Sequence, residues 1–119
     1  MPDSPETLVR RYLDAMEARD LGQAKTMLAP GFEMVFPGGV RFTELEALVA
    51  WSKARYANIS KTFTRFESTP TTVYCIGTLS GGWPDGTPFQ GIRFIDRFEH
   101  ADGLLTRQEV WNDMAEHRT

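Results

Sequence analysis

Tyr12 and Asp96 carry the two side chains of this sequence that are best suited to polarising a carbonyl group or moving a proton. Tyr12 lies between Leu8 and Met16 on a four-residue repeat, which predicts that it shares the apolar stripe of an amphipathic helix. Asp96 lies in an alternating run whose residues two positions away on either side are phenylalanine, so it shares an apolar face of a strand. A hydroxyl and a carboxyl group that meet in one apolar cavity can donate hydrogen bonds to a substrate oxygen or exchange a proton with it.

The last predicted hairpin decides which face of its strands Asp96 occupies. The sequence around Gly103 fits a three-residue loop in which that glycine is left-handed, and this loop pairs Asp96 with Gln108. A two-residue loop would instead place Asp96 beside Glu109, which carries a like charge. With the three-residue loop, the inner face carries Ile92, Phe94, Asp96, Phe98, Gln108, Val110 and Asn112. The opposite face is rich in charge, which indicates solvent.

A buried aspartate at this position has a structural explanation and a functional one. In the first, Asp96 caps a neighbouring element or pairs with Arg55 or Arg93 at the rim, and Tyr12 is a core tyrosine with a hydrogen-bonded hydroxyl. In the second, both side chains converge on a concave cavity, the usual setting of a reactive carboxyl group. Without a basic partner, burial would favour the neutral acid, whereas an arginine at ion-pair distance would keep it charged.

Further side chains on the predicted inner faces would line the cavity and contact a ligand. These candidate ligand-binding residues are Met16, Met34, Phe36, Trp51, Tyr56, Tyr74, Phe94, Gln108, Val110 and Asn112. Trp51 or Tyr56 would close the mouth, and Ile76 is also expected to be buried. Aromatic and methionine side chains at such positions also form ordinary cores, so an interior filled by side chains is the alternative.

The elements that position these residues are read from capping signals and periodicity. Helix starts are indicated at Ser4, Asp20 and Thr43. The second helix is expected to stop at Pro30, and the third to reach Tyr56. Strands are predicted at 32–36, 61–68, 72–79, 87–99 and 104–114.

This order of elements predicts an α+β fold. Three N-terminal helices would pack on a strongly curved antiparallel sheet that forms a cone with an internal pocket. Turn residues separate the four long strands, which should therefore form an antiparallel meander, and Gly77 and Gly91 would permit its bends. The chain has 119 residues, which is the size of one domain, so residues 1–119 are expected to form a single unit.

The composition argues against several classes of function. Thirteen basic and sixteen acidic residues give a net charge of −3 without a basic cluster, so neither nucleic acid nor a membrane surface is an expected partner. Cys75 is expected to be a buried, inert thiol, and His100 and His117 lie beside a turn and the chain end, so no metal and no cofactor are expected. The first eleven residues lack the apolar segment of a signal peptide, so we expect a cytoplasmic protein.

The order of capped helices, short strand and four-strand meander, ending near residues 110–113, resembles the nuclear-transport-factor-2-like superfamily. Within it, the chain looks like the SnoaL-like and ketosteroid-isomerase-like branch, from about residue 6 to residue 114. The resemblance implies a cone with a deep pocket and a homodimer formed through the outer sheet face. On this chain that face would include Arg93, Ile95, Leu105, Glu109 and Trp111.

The resemblance to ketosteroid isomerases carries over to this chain only in part. Tyr12 falls at the position of the oxyanion-hole tyrosine, and Asp96 at that of its protonated aspartic acid partner; such a pair donates two hydrogen bonds to a developing enolate. The general base of that family falls on Phe36, which cannot accept a proton. SnoaL-like polyketide cyclases need an acid–base aspartate, for which Asp96 is the inner candidate.

Three hypotheses of function follow. The first is an isomerase or cyclase that acts on a hydrophobic carbonyl compound, such as a polyketide, a steroid-like molecule or a small enone, through Tyr12 and Asp96. The second is a domain that binds a small hydrophobic molecule without catalysis, and the third is a filled fold used for dimerisation or protein contact. The aromatic side chain of Phe36 weighs against the first hypothesis in its isomerase form.

Overall fold

The structure, a computed structural model, describes residues 4–117. Within that range it contains helices on one mixed six-stranded sheet, so the predicted α+β class is confirmed. In chain order the elements are α1 (Pro5–Glu17), α2 (Leu21–Lys25), β1 (Leu28–Phe36), β2 (Val40–Phe42), α3 (Leu45–Ser52), β3 (Asn58–Ser68), β4 (Thr72–Gly82), β5 (Pro88–Ala101), β6 (Leu104–Asn112) and α4 (Met114–His117). No helix in this range is long and apolar enough to span a bilayer.

The first two helices begin where the capping residues predict. The Ser4 hydroxyl accepts a hydrogen bond from the backbone N–H of Thr7 at 3.1 Å, and the Asp20 carboxylate accepts one from the backbone N–H of Gln23 at 3.2 Å. The ends of the second and third helices differ from the prediction. The second helix ends at Lys25, so β1 already begins before Pro30, and α3 ends at Ser52, four residues before Tyr56.

The strands lie in the order β2-β1-β6-β5-β4-β3. Strands β3 to β6 form the predicted antiparallel meander. The expectation of a wholly antiparallel sheet is wrong, because β1 runs parallel to β6. No hairpin joins these two strands, since α3 and four strands intervene along the chain, so no turn forces them to be antiparallel. The short β2, which the sequence did not predict, forms a hairpin with β1.

The last hairpin has a different register from the predicted one. Its loop has two residues, Asp102 (φ 54°) and Gly103 (φ 79°), both left-handed as a type I′ turn requires. An irregularity after the turn then shifts the pairing, so that Asp96 lies opposite Val110 instead of Gln108. The total displacement is two residues, which leaves every side chain beyond it on its predicted face.

The same irregularity corrects the predicted outer face of the sheet. Leu105 was assigned to that face, but it lies on the turn side of the shift and is 0% exposed in the core. An extra residue in β6 reverses the alternation there, so Leu105 points inward while Arg107 joins the charged outer surface. Ile95 and Trp111 do lie on the outer face, and they are 40% and 53% exposed.

Strand β4 has the opposite alternation from the predicted one. Val73 and Cys75 are buried on the inner face, so the expected inner positions of Tyr74 and Ile76 are wrong. The Tyr74 hydroxyl accepts a hydrogen bond from Arg97 Nε at 3.3 Å on the outer face. Both faces of β4 carry apolar residues, so the sequence pattern contained no signal for its orientation.

Candidate functional site

A cavity of about 130 Å³ lies between helices α1 and α3 and the inner face of the sheet. It is lined by nine of the predicted site residues: Tyr12, Met16, Phe36, Trp51, Tyr56, Phe94, Asp96, Gln108 and Asn112. Met34 and Val110 do not line it, because both are packed into the core beside it. Tyr74 lies on the other face of the sheet and is removed from the ligand-binding set.

The Asp96 carboxylate is 0% exposed in the middle of β5, between Cys75 of β4 and Val110 of β6. Its Oδ2 atom accepts a hydrogen bond from the ammonium group of Lys61. Its Oδ1 atom is buried and has no hydrogen-bond partner among residues 4–117. Since a buried acceptor without a partner is costly, Asp96 retains an unused capacity to accept a hydrogen bond inside the cavity.

Lys61 is the functional residue that the sequence reasoning missed. It lies on β3 between Ile59 and Phe63, on the face that these two residues turn toward the cavity. Its ammonium lies 5.0 Å from the centre of the Phe94 ring, and its side chain is 23% exposed. The sequence signal that could have identified Lys61 is its place in the alternation of β3, two residues from apolar Ile59 and two from apolar Phe63, which puts it on their face of the strand.

The predicted arginine partners of Asp96 are engaged elsewhere. The Arg55 guanidinium lies over the Trp51 ring at 4.6 Å, and Arg93 forms an ion pair with Asp113 at 2.6 Å. Lys61 takes the position that was expected of an arginine. In this ion pair the carboxyl group accepts a hydrogen bond from the ammonium group, whereas the isomerase resemblance implied a protonated donor.

Tyr12 contributes a neutral hydroxyl to the same cavity. Its ring packs edge-on against Phe32 and Phe98, at centroid distances of 6.1 and 5.8 Å. The hydroxyl donates to the sulfur of Met34 at 4.0 Å, which is a weak interaction. Burial, and to a lesser extent the negative charge of Asp96, raises the pKa of Tyr12, so the hydroxyl remains protonated and able to donate.

Two amide side chains complete the polar wall of the cavity. Gln108 is 3% exposed, and its Oε1 atom is buried without a partner. The Oδ1 atom of Asn112 accepts the backbone N–H of Met114 at 3.0 Å, so it holds the start of α4. The unused polar atoms of Asp96 and Gln108 are both acceptors.

The apolar wall of the cavity is aromatic. Phe36 contacts Trp51 at a centroid distance of 5.7 Å, and Phe42 packs on both rings. Phe63 contacts Phe94 at 6.0 Å. Phe36, which occupies the position of the isomerase base, is thus part of a hydrophobic surface.

Thiol and metal chemistry receive no support from the described residues. Burial raises the pKa of the Cys75 thiol to about 12, and nearby Asp96 adds to this effect, so the thiol is un-ionised at neutral pH. Residues 4–117 contain no cluster of three or more His, Cys, Asp or Glu side chains that could hold a metal ion.

A family model identifies the class of protein. The model for the SnoaL-like domain matches residues 9–108, so the chain belongs to the SnoaL-like domain family. A search of curated proteins found no match.

Solved structures share the fold. A nuclear-transport-factor-2-like protein of unknown function from Burkholderia pseudomallei has a TM-score of 0.81 and 19% identity, with 93% of this chain and 92% of that chain covered. TerC co-crystallised with polyporic acid has a TM-score of 0.82 and 18% identity, with 92% of each chain covered. A protein with a ketosteroid isomerase-like fold from Catenulispora acidiphila, in complex with trimethylamine, has a TM-score of 0.74 and 18% identity, with 92% and 86% covered.

Proposed function

We propose that the protein binds a small, largely hydrophobic organic molecule in the cavity between α1, α3 and the sheet. The observation that carries this proposal is the unpartnered Oδ1 atom of Asp96, which is buried in a cavity with an aromatic wall. An apolar cavity with a few convergent polar groups is the usual form of a small-molecule site. Two proteins of the same fold are described with small organic molecules, polyporic acid and trimethylamine, which supports the same use here.

The volume of the cavity favours a ligand of about one ring. At about 130 Å³ it is close in size to an engineered protein cavity of about 150 Å³ that binds benzene. A four-ring steroid would need considerably more space. Of the carbonyl compounds considered from the sequence, the small enone fits this volume best.

Acid–base catalysis on a carbonyl compound is the second candidate function. The observation that favours it is the presence of the Tyr12 hydroxyl and the unpartnered Asp96 oxygen in one cavity. The Asp96 carboxylate would take a proton from the carbon next to a carbonyl group and return it at another carbon, while the Tyr12 hydroxyl donates to the enolate oxygen. This is an isomerase-type or cyclase-type use of the pair; without the proton transfer, the same site is a binding site.

Filling the cavity tests the binding proposal. Met16 lines the cavity and is only partly buried, so Met16→Trp would place an indole in the cavity with limited disturbance of the core. We expect this variant to weaken the binding of one-ring probes (phenol, benzaldehyde and toluene) by tenfold or more, as measured by NMR titration. Ala47→Trp adds the same indole to an exposed position of α3 and should leave binding unchanged. Equal affinities in all three proteins, or no binding by the unmodified protein, would contradict the proposal.

We also propose that two copies associate through the outer sheet face. Leu105 is not part of this interface, because it is buried in the core. Ile95 and Trp111 are exposed there beside Arg93, and they line a shallow groove with Ile76. Glu109 lies nearby in an ion pair with Arg97 at 2.8 Å. Exposed aromatic side chains beside arginine are typical of interface centres.

Trp111→Ala tests this interface. We expect light scattering to give twice the monomer mass for the unmodified protein at micromolar concentration, and the variant to raise the dissociation constant by tenfold or more. Trp83→Ala removes a tryptophan elsewhere and should leave the mass unchanged. A monomer mass for the unmodified protein would refute the proposed dimer.

A further inference from the structure

We propose that Lys61 determines which ligands the cavity accepts: by holding Asp96 as a carboxylate, it makes the site prefer a ring that bears a hydroxyl group over a ring of the same size that bears a carbonyl group. This inference rests on the proposed binding function and adds the chemical class of the ligand. It also names a specificity-determining residue that neither the sequence pattern nor the resemblance assigned.

The geometry supports a direct role for Lys61. Its strand, β3, is separated from β5 by β4, so the lysine side chain reaches across β4 to Asp96. Its ammonium contacts Oδ2 and lies 5.0 Å from the centre of the Phe94 ring. The contact leaves Oδ1 without a partner, so the ion pair is formed without using the whole carboxylate.

Among the residues that the structure describes, the other groups near Asp96 do not supply a comparable charge. From α1 and β4 it is faced by the Tyr12 hydroxyl and the Cys75 thiol, and burial raises the pKa of both, so both are neutral near neutral pH. From β6 it is faced by the amide of Gln108 and by Val110. Lys61, from β3, is the cation in contact with the carboxylate.

A charged Asp96 has a clear chemical consequence for binding. A carboxylate has no proton to donate, and the unpartnered Oε1 atom of Gln108 is also an acceptor. A ligand hydroxyl can donate to these oxygens, whereas a ligand carbonyl oxygen directed at them would meet another acceptor and would have to turn toward the Tyr12 hydroxyl instead. Without the ammonium, burial favours the neutral acid, which could then donate to a carbonyl oxygen.

The experiment compares phenol, benzaldehyde and toluene, which place a donor, an acceptor or neither on one ring. We expect the unmodified protein to bind phenol roughly tenfold more tightly than benzaldehyde. This affinity ratio corresponds to the free energy of one hydrogen bond to a charged group. Lys61→Met keeps the apolar stem and removes the charge, so it should reverse this order, and its affinity for toluene shows how far the cavity itself is altered. Lys61→Arg keeps a cation and should keep the order, and Lys53→Met removes an exposed lysine as the control.

The outcomes separate this inference from the binding proposal. If toluene binds but Lys61→Met does not change the ratio of phenol to benzaldehyde, the inference is wrong and the binding proposal stands. If none of the three probes binds the unmodified protein, the binding proposal fails. Infrared spectroscopy reports the protonation state of Asp96 without any ligand, because the carbonyl band of its carboxyl group can be assigned by comparison with Asp96→Asn. A protonated carboxyl band in the unmodified protein at neutral pH would overturn the inference even if Lys61→Met did not fold.

Discussion

Replacing Gly77 by alanine is expected to lower the free energy of unfolding by about 3 kcal/mol, the upper part of the usual range for a steric insertion into a packed region. A Cβ atom at this position would lie 2.0 Å from the carbonyl oxygen of Thr62 and 3.0 Å from the Cα atom of Phe63. Both atoms belong to the backbone of the neighbouring strand β3, so no side chain can rotate away to make room. The two strands would have to separate.

Gly22→Ala is the matched control for this substitution. Gly22 lies in α2, and the nearest atom to an added Cβ would be the Asp20 carboxylate oxygen at 3.9 Å. Because alanine favours a helix by up to about 1 kcal/mol over glycine, this variant should be neutral or slightly more stable. Urea denaturation measures both changes. A Gly77→Ala variant within about 0.5 kcal/mol of the unmodified protein would contradict the close approach of β3 and β4.

The position of Gly77 is linked to the candidate site through the shape of the sheet. It lies opposite Phe63, where the pairing of β3 with β4 shifts between Phe63 and Arg65. Such a shift bends a strand, and Phe63 and Phe66 then pack together at a centroid distance of 4.9 Å. Lys61 precedes this bend on the cavity side. We therefore expect Gly77→Ala to weaken the binding of toluene as well as to lower the free energy of unfolding.

The inner face of the last hairpin could be predicted because its chemistry is unambiguous. One face of β5 carries Ile92, Phe94 and Phe98 and the other carries charges, so the alternation places Asp96 inside. The loop was assigned one residue too long, and the extra residue in β6 shifted the pairing further. Since side chains alternate with period two, the resulting difference of two residues preserved the face of Asp96.

Other features depend on contacts that a sequence pattern does not contain. The prediction of which face of β4 points inward is wrong because both faces of this strand are apolar. The prediction that Leu105 lies on the outer face is wrong because the extra residue in β6 has no signature in the local sequence. The partner of Asp96 lies 35 positions earlier in the chain and two strands away, so only the folded sheet brings Lys61 to it. Reading the alternation of Ile59 and Phe63 would have placed this lysine inside, but not against a particular carboxylate.

The ion pair leads to the second large effect: Lys61→Met should lower the free energy of unfolding at neutral pH by about 3 kcal/mol, because it leaves a buried carboxylate without its partner. The double variant Lys61→Met/Asp96→Leu removes both charges and should recover most of this loss, since two apolar side chains of similar volume replace the pair. Lys53→Met, at an exposed position, should change stability by less than about 0.5 kcal/mol.

The dependence of this loss on pH identifies its cause. In the folded Lys61→Met variant, burial favours the neutral acid, whereas in the unfolded chain an aspartate releases its proton above about pH 4. The unfolded state then binds fewer protons than the folded state, so the stability of the variant must fall as the pH rises from 4 to 7. Chemical denaturation at several pH values should therefore show a small deficit near pH 4 and the full deficit near pH 7. A loss of stability that is independent of pH would show that it comes from the packing of the lysine stem. A double variant that is no more stable than Lys61→Met would lead to the same conclusion.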